Sequence, residues 1–97
     1  MDYLEPWYST DEQSLAAELQ REVAQGHALF DVPVIVLARR QDRDDVLFEL
    51  QDGSNRVAQV HLSWQLESNP VWPHTQLFAD RDAWLESMKK DHEEYGA

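Results

Sequence analysis

The segment from Pro33 to Trp64 constrains the fold most. Three runs, "VIVLARR" (34–40), "VLFEL" (46–50) and "VAQVHLSW" (57–64), are separated by the polar stretches "QDRDD" (41–45) and "QDGSNR" (51–56). The first run is rich in β-branched residues and has apolar side chains of both parities, as a strand covered on both faces would. The second alternates, with Val46, Phe48 and Leu50 on one side and Leu47 and Glu49 on the other. Asp52-Gly53 centres a hairpin turn. The third run turns Ala58, Val60, Leu62 and Trp64 inward and Val57, Gln59, His61 and Ser63 outward. Three strands joined by short polar turns predict an antiparallel meander.

Helical patterns flank it. Over residues 9–24, Leu15, Leu19 and Val23 recur every four positions with Ala16 beside them, while Gln13, Glu18, Arg21, Glu22 and Gln25 take the wet side. Thr10 with Gln13 has the spacing of a capping box, Asp11 and Glu12 suit the positive end of the helix dipole, and Gly26 supplies a stop. Pro70 and Pro73 bracket a loop that neither a helix nor a central strand tolerates, and "TQLF" (75–78) suits a short extended piece. Asp80 reads as the N-cap of a second helix over 81–97, with Trp84, Leu85 and Met88 as its apolar stripe and Lys89 and Lys90 near its negative end. The expected fold is α+β, a three-stranded antiparallel meander with two helices in the order α-β-β-β-α, both helices mainly on one face. Ninety-seven residues with 42% hydrophobic content suit a single domain over 1–97. The other face is partly apolar through Ile35, Leu37, Leu47 and Val57, so a second copy of the chain could cover it as a homodimer.

Charge limits the partners. Nineteen acids against eight bases give a net −11, with seven acids and one base in 1–33, five and four in 34–64, and seven and three in 65–97. Such a field repels phosphate backbones and anionic membranes and attracts basic proteins. The chain has no cysteine, which excludes disulfides, thiolate nucleophiles and zinc–thiolate sites. The start "MDYLEPWYST" carries acids where a signal peptide needs bases, and the apolar run "VPVIVLA" (32–38) is too short to cross a bilayer, so a cytoplasmic protein is expected.

Chemistry-bearing patterns are sparse. The histidines at 27, 61, 74 and 92 show none of the close spacing of a zinc motif. His61 and His74 could converge if the loop between them folds back over the strand, with Asp80 as a third donor. Asp42, Asp44 and Asp45 resemble the start of a calcium loop, but Leu47 stands at its glycine position and Gly53 at its terminal glutamate position. Ser63 beside His61 lacks an orienting third group and the glycines of a nucleophile elbow. Glu18/Glu22 and Asp80/Asp82 are paired acids of the kind nineteen carboxylates produce by chance. With glycine only at 26, 53 and 96, no phosphate-cradling loop exists. Trp64 and Trp84 fall on apolar stripes and are expected in the core. Trp72, in a loop between prolines, either caps the open edge of the core or anchors a partner, capping being favoured.

"VHLSW" and "WPHTQLF" resemble a pattern shared by small uncharacterised bacterial proteins, "VHLTW", a variable loop, then "WP-x-T" ahead of a C-terminal helix. The matching residues are Val60, His61, Leu62, Trp64, Trp72, Pro73 and Thr75, with Ser63 in place of Thr, and "GH" at 26–27 and "DHEEYG" at 91–96 as fainter echoes. The resemblance implies a recurring strand–loop–helix design and brings no activity with it.

These residues point to a non-enzymatic, acidic protein-binding module without a cofactor, docking a basic protein in the manner of immunity proteins or antitoxins, or serving as an accessory subunit. A metal- or small-ligand-binding domain using His61 and His74 is the alternative, and a structural homodimeric subunit the third reading. His61, Trp72 and His74 are the candidate partner or ligand surface.

Overall fold

The computed structural model describes residues 3–96. Its elements are β1 (Trp7–Ser9), α1 (Ser14–Glu22), β2 (Val34–Arg40), β3 (Asp45–Leu50), β4 (Val57–His61), β5 (His74–Phe78) and α2 (Arg81–Tyr95). The strands form one antiparallel sheet in the order β1-β2-β3-β4-β5. The fold is α+β, but with five strands where three are expected. The meander is its centre, and a strand is added at each edge. β1 is three residues long, too short to show a two-residue rhythm. β5 lies at an edge and is exposed along much of its length, so it lacks the apolar alternation that marks an inner strand.

The helices lie on opposite faces, not together on one. Leu15, Leu19 and Val23 pack with Leu29, Val36, Val46, Phe48, Leu50, Ala58, Val60 and Leu62. Trp84 and Met88 pack with Trp7, Ala38, Leu47 and Val57. A bulge in β2 makes this possible. Val36 pairs with Phe48 but Ala38 pairs with Leu47, so Leu37 is an extra residue and the strand changes parity there. Val36 therefore faces α1 and Ala38 faces α2. Of the apolar residues that invited a second copy of the chain, Leu47 and Val57 are buried with α2, Leu37 is half-buried against the same cluster, and Ile35 is exposed.

Each helix depends on its sheet. α1 has nine residues, too few to persist alone in water, and its N-cap Gln13 makes no side-chain cap bond. It is shorter than the expected span of 9–24 because Ser9 belongs to β1 and Val23 is already extended. Thr10 accepts from the Glu12 amide rather than capping the helix. α2 begins as expected: the Asp80 carboxylate accepts from the Ala83 amide at 2.8 Å. Ala97, the expected end of that helix, lies outside the described residues. The Trp84 ring meets Trp7 edge-on at 5.0 Å and Tyr3 at 5.9 Å, and its indole N–H donates to Gln59 Oε1 at 3.0 Å. Edge-to-face pairs of this kind add about 0.5–1.5 kcal/mol each beyond area burial.

Trp64 is not in the core. β4 ends at His61, Leu62 is the last buried residue, and Trp64 has a positive φ of 59° and an exposed ring. The change of face at each residue from Val57 to Leu62 is as expected and stops two residues early, but Val57, expected outward, is buried with Trp84 and Met88. Trp84→Ala is expected to cost about 3–5 kcal/mol in urea unfolding, whereas Trp64→Ala should change stability by less than about 0.5 kcal/mol. Equal losses would return Trp64 to the interior.

Candidate functional site

The segment 62–73 between β4 and β5 carries Trp64, Leu66, Val71 and Trp72, exposed by 46, 77, 65 and 49%. Four large apolar side chains on one short loop are a concentration that scattered surface residues do not explain. Trp72 is thus outward, and the expectation that it caps the core is corrected. Leu29 and Leu62 are buried in the α1-side core without it.

Two buried polar residues hold the base of this loop from the α1 side. Glu22 is fully buried, not on the wet side of α1 as its charge suggests. Its Oε1 accepts from the Ser63 amide at 2.8 Å and the Ser63 hydroxyl at 3.0 Å, and its Oε2 accepts from the Trp64 amide at 2.8 Å. The carboxylate thereby satisfies backbone donors that leave the sheet at the end of β4, where no neighbouring strand can. Burial pushes the Glu22 carboxyl above the usual carboxylate range, and a shared hydrogen bond with Glu18 adds to this; the Ser63 and Trp64 donors oppose it. The sequence signal was present but inverted, since Glu22 stands seven residues after Leu15 on the inward stripe of α1.

His27 is the second anchor. Its Nδ1 accepts from the Leu29 amide at 2.9 Å, which leaves the proton on Nε2 to donate to the Pro73 carbonyl at 3.0 Å. The Thr75 hydroxyl donates to the same carbonyl at 3.0 Å. Beside it, Gly26 takes φ of 99°, and a Cβ there would meet the Pro70 side chain at 3.2 Å. Glycine therefore suits position 26 both for its left-handed backbone and for the approach of Pro70.

His61 and His74 do come together, on the other face. They are directly opposed register partners of β4 and β5, and both are exposed. Asp45, the opposed partner of His61 on β3, accepts from His61 Nδ1 at 2.6 Å. Asp45 Oδ2 accepts from Gln59 Nε2 at 3.2 Å, and Gln59 in turn accepts from the Trp84 indole. Asp80 does not join them, being the N-cap of α2; the carboxylate beside His61 is Asp45, which the sequence presents as one acid in a charged turn. Trp72 precedes His74 by two residues but belongs to the loop anchored on the α1 side. The three candidate residues thus divide into a histidine pair facing the α2 side and a loop tryptophan.

A separate concavity of about 320 Å³ is lined by Glu49, Asn55, Asp80, Arg81 and Asp82 at the opposite end of the sheet. Of its charged groups, Arg81 is engaged by Glu49 at 2.6 Å and Asp80 by the α2 backbone. Among the described residues no helix is long and apolar enough to cross a membrane. No known family, curated protein or solved structure matches the chain.

Glu22→Ala should cost about 1–3 kcal/mol at neutral pH, because it leaves buried donors without an acceptor, and should broaden the Ser63 and Trp64 amide resonances. The pH dependence carries two opposite signs. Asp52 is held at about 2 by its bonds to Ser54 and Arg56, so its stabilising contribution is present above the unfolded value and is lost as pH falls toward 2. Glu22, shifted upward, contributes at low pH and that contribution is lost as pH rises through its folded value. Carboxyl carbon NMR titrations are expected to place the Glu22 midpoint above, and the Asp52 midpoint below, their ordinary values.

Proposed function

We propose that the chain is a small, acidic, non-enzymatic protein-recognition module that docks a basic partner through the β4–β5 loop. The observation that carries this reading is the set of four exposed apolar side chains on a loop whose ends are tied down by Glu22 and His27. Tryptophans are the side chains most enriched among residues that dominate interface energy, because a rigid ring buries a large area at small entropic cost. A loop whose backbone is already ordered loses less freedom on binding than a mobile one.

Charge supplies the sign of the partner. A net −11 speeds encounter with a cationic surface and disfavours anionic ones, while the uncharged rings of Trp64 and Trp72 provide the dry contact. Neutralising a basic protein, as immunity proteins and antitoxins do, is the form of recognition that this combination suits.

The test is a comparative capture at low salt with the wild type, Trp64→Ser/Trp72→Ser and a surface control, Lys89→Ser. A basic protein should be retained by the wild type and the control and lost by the double variant, with each single substitution weakening binding by about thirtyfold, equivalent to about 2 kcal/mol. Raising ionic strength should slow association more than it speeds dissociation. Retention by the double variant, or a partner of acidic charge, contradicts the reading.

A further inference from the structure

The paired histidines on the α2 face have no part in the docking loop and carry an inference of their own. Leu62 donates its amide to the Asp44 carbonyl at 3.0 Å, so the backbone groups of Leu62 point toward β3 and those of His61 toward β5. His61 and His74 are then a hydrogen-bonded cross-strand pair, with Cα atoms about 5.5 Å apart and side chains rising side by side from the same face.

A carboxylate can only accept, so the 2.6 Å contact puts a proton on Nδ1, and in the neutral ring the lone pair is on Nε2. Asp45 is buried and is itself held by Gln59, which is held by Trp84 in the core. Metal-ligating histidines almost always donate their other ring N–H to a carboxylate, a backbone carbonyl or a water, and Asp45 supplies such a partner to a solvent-facing imidazole here. A merely solvated surface histidine needs no such backing.

We infer that His61 and His74 form a two-imidazole chelate for a divalent first-row transition cation such as Zn²⁺, with Asp45 as the positioning residue behind His61. Imidazole nitrogens suit zinc, copper and nickel, whereas magnesium and calcium require oxygen donors. Among the described residues no group of three or more His, Asp or Glu side chains is placed to hold a metal, so the protein contributes two ligands and water completes the shell. Nothing in this site depends on Trp64 or Trp72.

The test is a titration of the full chain with ZnCl₂, followed through the imidazole nitrogen resonances, with MgCl₂ as the control. The His61 and His74 Nε2 signals should move together and saturate at one equivalent, while His27 and His92 stay in place. His61→Ala and His74→Ala should each weaken zinc binding at least tenfold. Asp45→Asn, which keeps both ligands, should weaken it by about tenfold and shift the His61 tautomer balance in the absence of metal, a change that a purely structural role would not produce. Should Asp45→Asn fail to fold, His74→Ala on the exposed edge strand still decides the matter, with unchanged amide signals from β2 and α1 as the control for folding. Zinc shifts spread over carboxylates with the two rings unmoved, equal affinity in the single-histidine variants, or an equal response to MgCl₂ each overturns the inference.

Discussion

Strand β3 lies in the middle of the sheet with Val46, Phe48 and Leu50 turned to one side and Leu47 to the other, and both sides must be kept from water at once. That requirement sets the rest. One helix cannot cover two faces, so α1 takes the first and α2 the second. β2 must also serve both, and the extra residue at Leu37 lets it give Val36 to one core and Ala38 to the other. The change of parity carries Arg40 to the α2 face, where its guanidinium meets Asp42 at 2.8 Å and Asp91 at 3.6 Å. A charge that would be costly inside the α1 core is thereby matched by acids.

The central strands were legible because each is long enough to show a rhythm and each ends at turn residues with a definite backbone preference. Asp52 and Gly53 mark the hairpin that the structure contains, Gly53 at φ of 82°. What the rhythm cannot show is where pairing stops. Trp64 continues the parity of Ala58, Val60 and Leu62, but β4 leaves the sheet at His61, and a residue beyond the last pair no longer obeys the alternation. The placement of the helices was hidden for a related reason: a run with apolar residues of both parities says that two faces are covered, not which helix covers which.

The site was legible in part. His61 and His74 could be named as a pair, yet their facing positions follow from the β4–β5 register, which is set thirteen residues apart by a loop of irregular shape. Asp45 was obscured by its neighbours Asp42 and Asp44, which share its charge but not its burial. Glu22 and His27 were missed because polar residues near a helix end are ordinarily solvated, and their value here lies in backbone donors and carbonyls contributed from forty or more positions away. The loop is anchored from the α1 side of the sheet, whereas the histidine pair stands on the α2 side.

The outermost segments of the chain are fastened to each other. Trp7 Nε1 donates to Asp91, the Leu4 amide meets Met88 Sδ, and His92 donates to the Glu5 carbonyl, across sequence separations of 84 to 87 residues. Contacts between residues so far apart in sequence repay their loop-closure entropy only after the segments between them are arranged. Vectorial synthesis sharpens the point: Trp7 leaves the ribosome well before α2, the helix that packs on it, has been made.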